Sequence, residues 1–62
     1  MKRIRVLLVD DQGLFREALA TLLGLHSQLE IVGEAGDGEA GVALAQTLRP
    51  DVVLMDLRMP GM

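Results

Sequence analysis

Two short, β-branched apolar runs, each halted by acid, constrain this chain more than anything else in it. Ile4-Arg5-Val6-Leu7-Leu8-Val9 stops at Asp10-Asp11, and Val52-Val53-Leu54-Met55 stops at Asp56. Nearly continuous runs of this kind, without an in-out alternation, are what a parallel strand covered on both faces requires. Parallel neighbours cannot be joined by a hairpin, so the chain between the two runs has to cross over, usually as a helix.

The residues between them supply the crossovers. Phe15, Ala18, Leu19, Leu22 and Leu23 recur at helical spacing, whereas Arg16, Glu17 and Thr21 fall off that stripe. Gly24 suits the position just past a helix end, where a positive φ costs glycine little, and the polar connection His26-Ser27-Gln28 follows. Leu29–Ala35 alternates with period two, as an edge strand with one wetter face does. Gly36-Asp37-Gly38 is turn chemistry, with Asp37 or Gly38 placed to cap a second helix whose stripe is Ala40, Ala43, Leu44 and Leu48. Gly41 weakens that helix by roughly 1 kcal/mol relative to alanine. Pro50 ends it and drives Arg49 toward extended geometry, and Met59-Pro60-Gly61 reads as a loop or turn. The order β-α-β-α-β, with short connections, predicts an α/β fold: one half of a doubly wound parallel sheet, with right-handed crossovers and helices on both faces. No internal repeat or low-complexity stretch interrupts it.

Composition narrows the function. At 62 residues a multi-domain reading is excluded, and one core is near the lower limit of what can stabilise a domain unaided. Half the residues are apolar, too many for a disordered tail. Six bases against nine acids give a net charge of −3, with no basic cluster beyond Lys2, Arg3 and Arg5, so this segment carries no electrostatic footprint for nucleic acid. Without cysteine there is no disulfide framework and no thiolate metal site. The apolar runs fall far short of the ~18 residues a membrane span needs. The basic start leads into a short run without a small-residue cleavage pattern, so a soluble, cytoplasmic segment is expected.

In open α/β sheets, ligands bind beyond the carboxyl ends of the strands, where the winding reverses. Asp10, Asp11 and Asp56 stand at those ends. With strands 4–9 and 52–55 as neighbours across the reversal, three carboxylates converge, and like charges so close repel unless a cation offsets them. Mg²⁺ suits such a site, because it takes a hard oxygen shell from few carboxylates and keeps waters that a phosphate can replace. A carboxylate beside that ion can also attack phosphorus and become an aspartyl phosphate. A plainer reading stands beside this one: an Asp between strand and helix is often an N-cap, and a strand-ending Asp is often a solvated turn. The acidic pair after one strand and the single acid after its neighbour together favour a site, although spacing alone does not name its chemistry.

Ile4 to Asp11, the Gly33-Glu34-Ala35-Gly36-Asp37-Gly38 stretch, and Pro50-Asp51-Val52-Val53-Leu54-Met55-Asp56-Leu57-Arg58-Met59-Pro60-Gly61 together resemble the receiver domain of bacterial two-component response regulators. The resemblance covers the whole chain. Leu14-Phe15-Arg16-Glu17-Ala18-Leu19 and the Gly-Glu-Ala strand are most similar to receivers joined to helix-turn-helix DNA-binding domains of the LuxR type. The resemblance implies a flavodoxin-like sheet of order 2-1-3-4-5, present here only as 2-1-3. It makes Asp56 the phosphoryl acceptor, Asp11 a direct Mg²⁺ ligand, Asp10 a ligand through water, and Arg58 a ligand through its backbone carbonyl. It also implies a histidine kinase as phosphodonor, a receiver that catalyses its own phosphorylation, and contact with DNA only through an output domain absent from this chain.

The family's domain is about twice this long, and its later strands supply a Ser/Thr and a Lys that hold the phosphoryl group. Residues 1–62 therefore correspond to the N-terminal half of a receiver. By itself this half is expected to show little or no phosphorylation, no switching and no enzyme activity. Without the later strands, Val52 to Met55 become an edge with unpaired backbone and apolar faces, which predicts a homo-oligomer formed by edge pairing across a two-fold axis or by exchange of an element.

Rival motifs are weaker. Gly33, Gly36 and Gly38 give G-x-x-G-x-G, the reverse of the dinucleotide fingerprint and after the wrong strand. Val52 to Asp56 resembles a Walker B strand, yet the chain has no G-x-x-x-x-G-K-[ST] loop. A haloacid-dehalogenase-like phosphatase places D-x-D after its first strand, whereas here the acids are adjacent and Gln12 follows. His26 has no second ligand at metal spacing, and Met55, Met59 and Met62 read as core and loop filler. A non-catalytic fragment that acts by self-association, or a phosphate- or nucleotide-binding α/β domain, remain the alternatives to a phosphoacceptor.

Overall fold

A computed structural model describes residues 2–56 of the chain, in the order β1 (Ile4–Val9), α1 (Gly13–Gly24), β2 (Leu29–Ala35), α2 (Gly38–Leu48) and β3 (Val52–Met55). The Met59-Pro60-Gly61 turn expected from the sequence lies outside the described residues. All three strands are parallel, in the order β2-β1-β3. The α/β class and the 2-1-3 order match the expectation. Because β2 and β3 flank β1 on opposite sides, right-handed crossovers carry α1 and α2 to opposite faces of the sheet.

The central strand makes the core. Val6, Leu7, Leu8 and Val9 are 0–3% exposed, and each such side chain contributes roughly 1.5–3 kcal/mol by leaving water. Leu7, Val9 and Ala35 form one cluster with Leu44 and Ala45 of α2 and Met55 of β3. β1 is buried on both faces as its apolar run predicts, whereas Val52, Val53 and Leu54 of β3 are 40–42% exposed, in line with the edge expected at residues 52–55. The reason is position, since β3 is an edge of the described sheet and only β1 has a strand on each side.

Both helices bury faces rotated from those expected. In α1, Arg16, Leu19, Ala20 and Leu23 turn inward, whereas Phe15, Ala18 and Leu22 are exposed. In α2 the buried positions are Gly38 and Gly41, with Leu44, Ala45 and Leu48 half-buried, and Ala40 and Ala43 face outward. Gly41 explains the rotation of α2. A Cβ there would lie 2.8 and 2.9 Å from the two Val9 methyls, so the helix backbone rests directly on β1 where a larger residue would hold it off. What costs helix propensity provides close packing.

Three local details also depart from the sequence reading. Gly24 is the last helical residue of α1 and not a left-handed cap; the chain leaves through Leu25 in αR, with Leu25 N donating to Leu22 O at 3.2 Å and His26 N to Leu23 O at 3.1 Å. Arg49 is left-handed at φ 50° and not extended, and its amide donates to Ala45 O at 2.9 Å to close α2. The alternation in β2 is broken, because the pairing steps from Val6–Ile31 to Leu7–Gly33 and leaves Val32 as an extra residue. Ile31 and Gly33 thus pair with residues on opposite faces of β1. Asp37 caps α2 as expected, its Oδ1 accepting from Ala40 N at 2.7 Å.

Candidate metal centre

The backbone ladder carries the acids to one edge of the sheet. Val9 pairs with Met55, so the residues that follow, Asp10 and Asp56, emerge side by side at the carboxyl ends of neighbouring parallel strands. Asp10 N donates to Ala35 O at 3.0 Å and Asp56 N donates to Val9 O at 3.1 Å, so both backbones are held to the sheet one residue beyond the strands proper. Asp10 is 9% exposed, Asp56 is half-buried and Asp11 is exposed. Each of the three carboxylates offers an oxygen within 4.8 Å of the others. The structure therefore brings Asp10, Asp11 and Asp56 together, while Arg58 lies outside the described residues.

The helix-cap reading of Asp10 fails on geometry. Its Oδ1 accepts from Gln12 N at 2.9 Å, a turn of two residues ahead of the helix, and α1 has no side-chain cap at Gln12. Two carboxylates at this separation repel by about 1 kcal/mol in full water screening and by about 3–4 kcal/mol at an effective dielectric of roughly 20. A divalent cation reverses the sign of that energy. Two oxygens opposite each other on Mg²⁺ stand about 4.2 Å apart, and a ligated water extends the reach, so an all-oxygen donor set of this span fits the ion.

One functional contact was not legible in the helix periodicity. The Arg16 guanidinium reaches back from α1, its Nη1 donating to the Asp10 carbonyl at 2.5 Å and its Nε to Glu34 Oε1 at 3.2 Å. By apolar spacing alone, Arg16 falls off the stripe of Phe15, Ala18, Leu19, Leu22 and Leu23. Reading 16, 19, 20 and 23 as one face, at spacings i, i+3, i+4 and i+7, would have found it. Beside the acids, an open hollow of about 430 Å³ runs between Phe15 and Leu19 of α1 and Leu54 of β3. Among the described residues no helix is long and apolar enough to cross a membrane.

The comparisons with known proteins agree with this geometry. A family model described as the response regulator receiver domain matches residues 6–62. The transcriptional regulatory protein LiaR of Bacillus subtilis is 54% identical over 59 residues, which are 95% of this chain and 28% of that protein. A protein-glutamate methylesterase/protein-glutamine glutaminase of Alkalilimnicola ehrlichii is 48% identical over 60 residues, 97% of this chain and 15% of that protein. The solved signal receiver domain of the response regulator NarL from Mycobacterium tuberculosis superposes with a TM-score of 0.94 at 45% identity, covering 100% of this chain and 50% of that one. The chain thus spans half of a solved receiver and under a third of these two curated relatives, one a transcriptional regulator and the other an enzyme. With its parallel 2-1-3 sheet and its acids gathered at the ends of β1 and β3, the chain belongs to the response regulator receiver domains.

Proposed function

We propose that residues 1–62 are the N-terminal half of a phosphoacceptor receiver, with Asp56 as the residue that takes the phosphoryl group. A histidine kinase would present phosphohistidine at the acidic edge. The P–N bond to the imidazole breaks as an Asp56 carboxylate oxygen forms the new O–P bond, and the imidazole leaves with the electron pair. Asp10, Asp11 and Asp56 would hold Mg²⁺ there, with Asp11 as a direct ligand, Asp10 as a ligand through water and the Arg58 carbonyl as a further one, as the family resemblance implies. When bound, the ion neutralises charge on the transferring group. The single observation that carries this reading is the approach of the three carboxylate oxygens to within 4.8 Å at the ends of adjacent parallel strands.

By analogy with the transcriptional regulatory protein LiaR, the whole protein would act in the regulation of transcription, with contact to DNA made by an output domain outside this segment, as the family resemblance implies. The segment itself works on no external substrate, and alone it transfers little or no phosphate. The decisive experiment is Mg²⁺-dependent labelling by a small acyl phosphate in a polypeptide that carries these residues within a complete receiver. Labelling is expected, and its loss in Asp56→Asn with the fold retained identifies the acceptor; labelling that survives Asp56→Asn overturns the assignment.

The exposed edge of β3 favours a second property of the isolated chain. Val52, Val53 and Leu54 leave apolar faces at 40–42% exposure on an edge strand of the described sheet, which favours pairing of the 62-residue chain with a copy of itself through that edge. Association of this kind is independent of Mg²⁺ and of Asp56.

A further inference from the structure

We infer that Arg16 is the positioning residue of the acidic site: through its contact with the Asp10 carbonyl, braced by Glu34, it fixes the turn on which Asp11 and Asp10 present their oxygens. The inference rests on the metal-binding reading given above and adds a residue to it. Asp10 is held at three points, by β2, by the turn that leads into α1, and by α1 itself. Its amide donates to Ala35 O of β2, its Oδ1 accepts from Gln12 N, and its carbonyl accepts from Arg16 Nη1 of α1. Only the last of these orients the peptide plane between Asp10 and Asp11, because the carbonyl is part of that plane. Asp11 is exposed, and its own side chain appears in none of these contacts. The direction in which it leaves the backbone is therefore set by the peptide that Arg16 clamps.

The guanidinium is itself constrained. Its Nε is paired with Glu34 Oε1 at 3.2 Å, and the Arg16 side chain is 22% exposed. A Cβ on Gly36 would lie 3.5 Å from Nη1 and one on Gly13 would lie 3.8 Å from Nη2, so a side chain at either glycine would stand at van der Waals distance from the fork. A rigid planar fork can hold a carbonyl and a carboxylate at once, which a single ammonium cannot do with the same geometry.

The sign of the effect separates positioning from simple charge. Arg16 is a cation beside a cation site, and if charge were its only influence, its removal would tighten Mg²⁺ binding. Positioning predicts the opposite. Mg²⁺ alone is titrated calorimetrically into the longest natural polypeptide that carries residues 1–62, with amide hydrogen exchange followed at Asp11 and Gln12. Arg16→Ala is expected to weaken Mg²⁺ about tenfold and to speed exchange at both amides. Glu34→Gln is expected to weaken it two- to threefold, and Arg16→Lys to recover part of the loss. Tighter or unchanged Mg²⁺ binding in Arg16→Ala overturns the inference. If the parent protein binds no Mg²⁺, the metal reading fails by itself, and the exchange rates still decide whether Arg16 fixes the turn. Should Arg16→Ala not fold, Glu34→Gln and Arg16→Lys carry the comparison, and unchanged affinity and exchange in both overturn it.

Discussion

Gly41 of α2 lies so close to Val9 of β1 that a methyl group on its Cα would come within 2.8 Å of the Val9 side chain. Helix propensity alone makes Gly41→Ala stabilising by about 1 kcal/mol. Overpacking against a strand whose residues cannot move costs about 1–3 kcal/mol. The net expectation is a loss of up to about 2 kcal/mol, read from urea unfolding, with Val9→Ala in the same chain recovering part of the Gly41→Ala defect. A more stable Gly41→Ala variant would mean that α2 does not approach β1 as described.

Arg5 closes the other end of α2. Its Nη1 donates to the carbonyls of Leu48 at 2.6 Å and Arg49 at 3.0 Å, acceptors that the end of the helix leaves open. Arg5→Leu keeps the strand apolar and removes both bonds, and a loss of about 1–2 kcal/mol is expected, since hydrogen bonds to charged groups exceed the neutral average. Chemical denaturation measures it.

Arg49→Gly acts in the other direction. Arg49 carries φ 50°, a region that costs a residue with a Cβ about 1 kcal/mol and glycine almost nothing. After the larger backbone entropy of unfolded glycine is subtracted, the substitution stabilises by about 0.5 kcal/mol, visible as a rise in Tm. A fall in Tm would place Arg49 outside the left-handed region in solution.

The proposed metal site predicts a link between stability and Mg²⁺. Without the ion, Asp11→Asn relieves repulsion and raises stability by about 0.5–1 kcal/mol, the scale of exposed charge pairs. With the ion at a hundred times its dissociation constant, the parent gains about 2.7 kcal/mol, and Asp11→Asn gains much less. Thermal melts with and without Mg²⁺ should therefore cross over in order of stability. Parallel shifts for the two proteins would remove Asp11 from the ligand set.

The proposed self-association of the 62-residue chain is tested by light scattering, which is expected to give a mass above that of the monomer. Val53 is 40% exposed on the β3 edge, and a lysine there is expected to block edge pairing. Val53→Lys should shift the mass toward monomer, whereas Asp56→Asn should leave it unchanged.

The sequence by itself determined the elements, their order and the ends of the strands. Local rules govern those features: β-branched runs extend, Asp37 caps, Pro50 stops a helix, and acids end the apolar stretches at positions 10 and 56. Because parallel neighbours in register share an edge, the meeting of Asp10, Asp11 and Asp56 followed once the order 2-1-3 was known. Tertiary structure alone decided which faces of the helices are buried, since apolar Phe15 is left exposed while charged Arg16 turns inward, and Ala18 and Ala20 differ only in what stands opposite them. It likewise decided the left-handed Arg49, whose carbonyl is taken by Arg5 from 44 residues away, the extra residue Val32, and the clamp of Arg16 on Asp10. Periodicity records what a segment prefers locally; burial, register and long-range hydrogen bonds depend on partners that only the folded chain brings within reach.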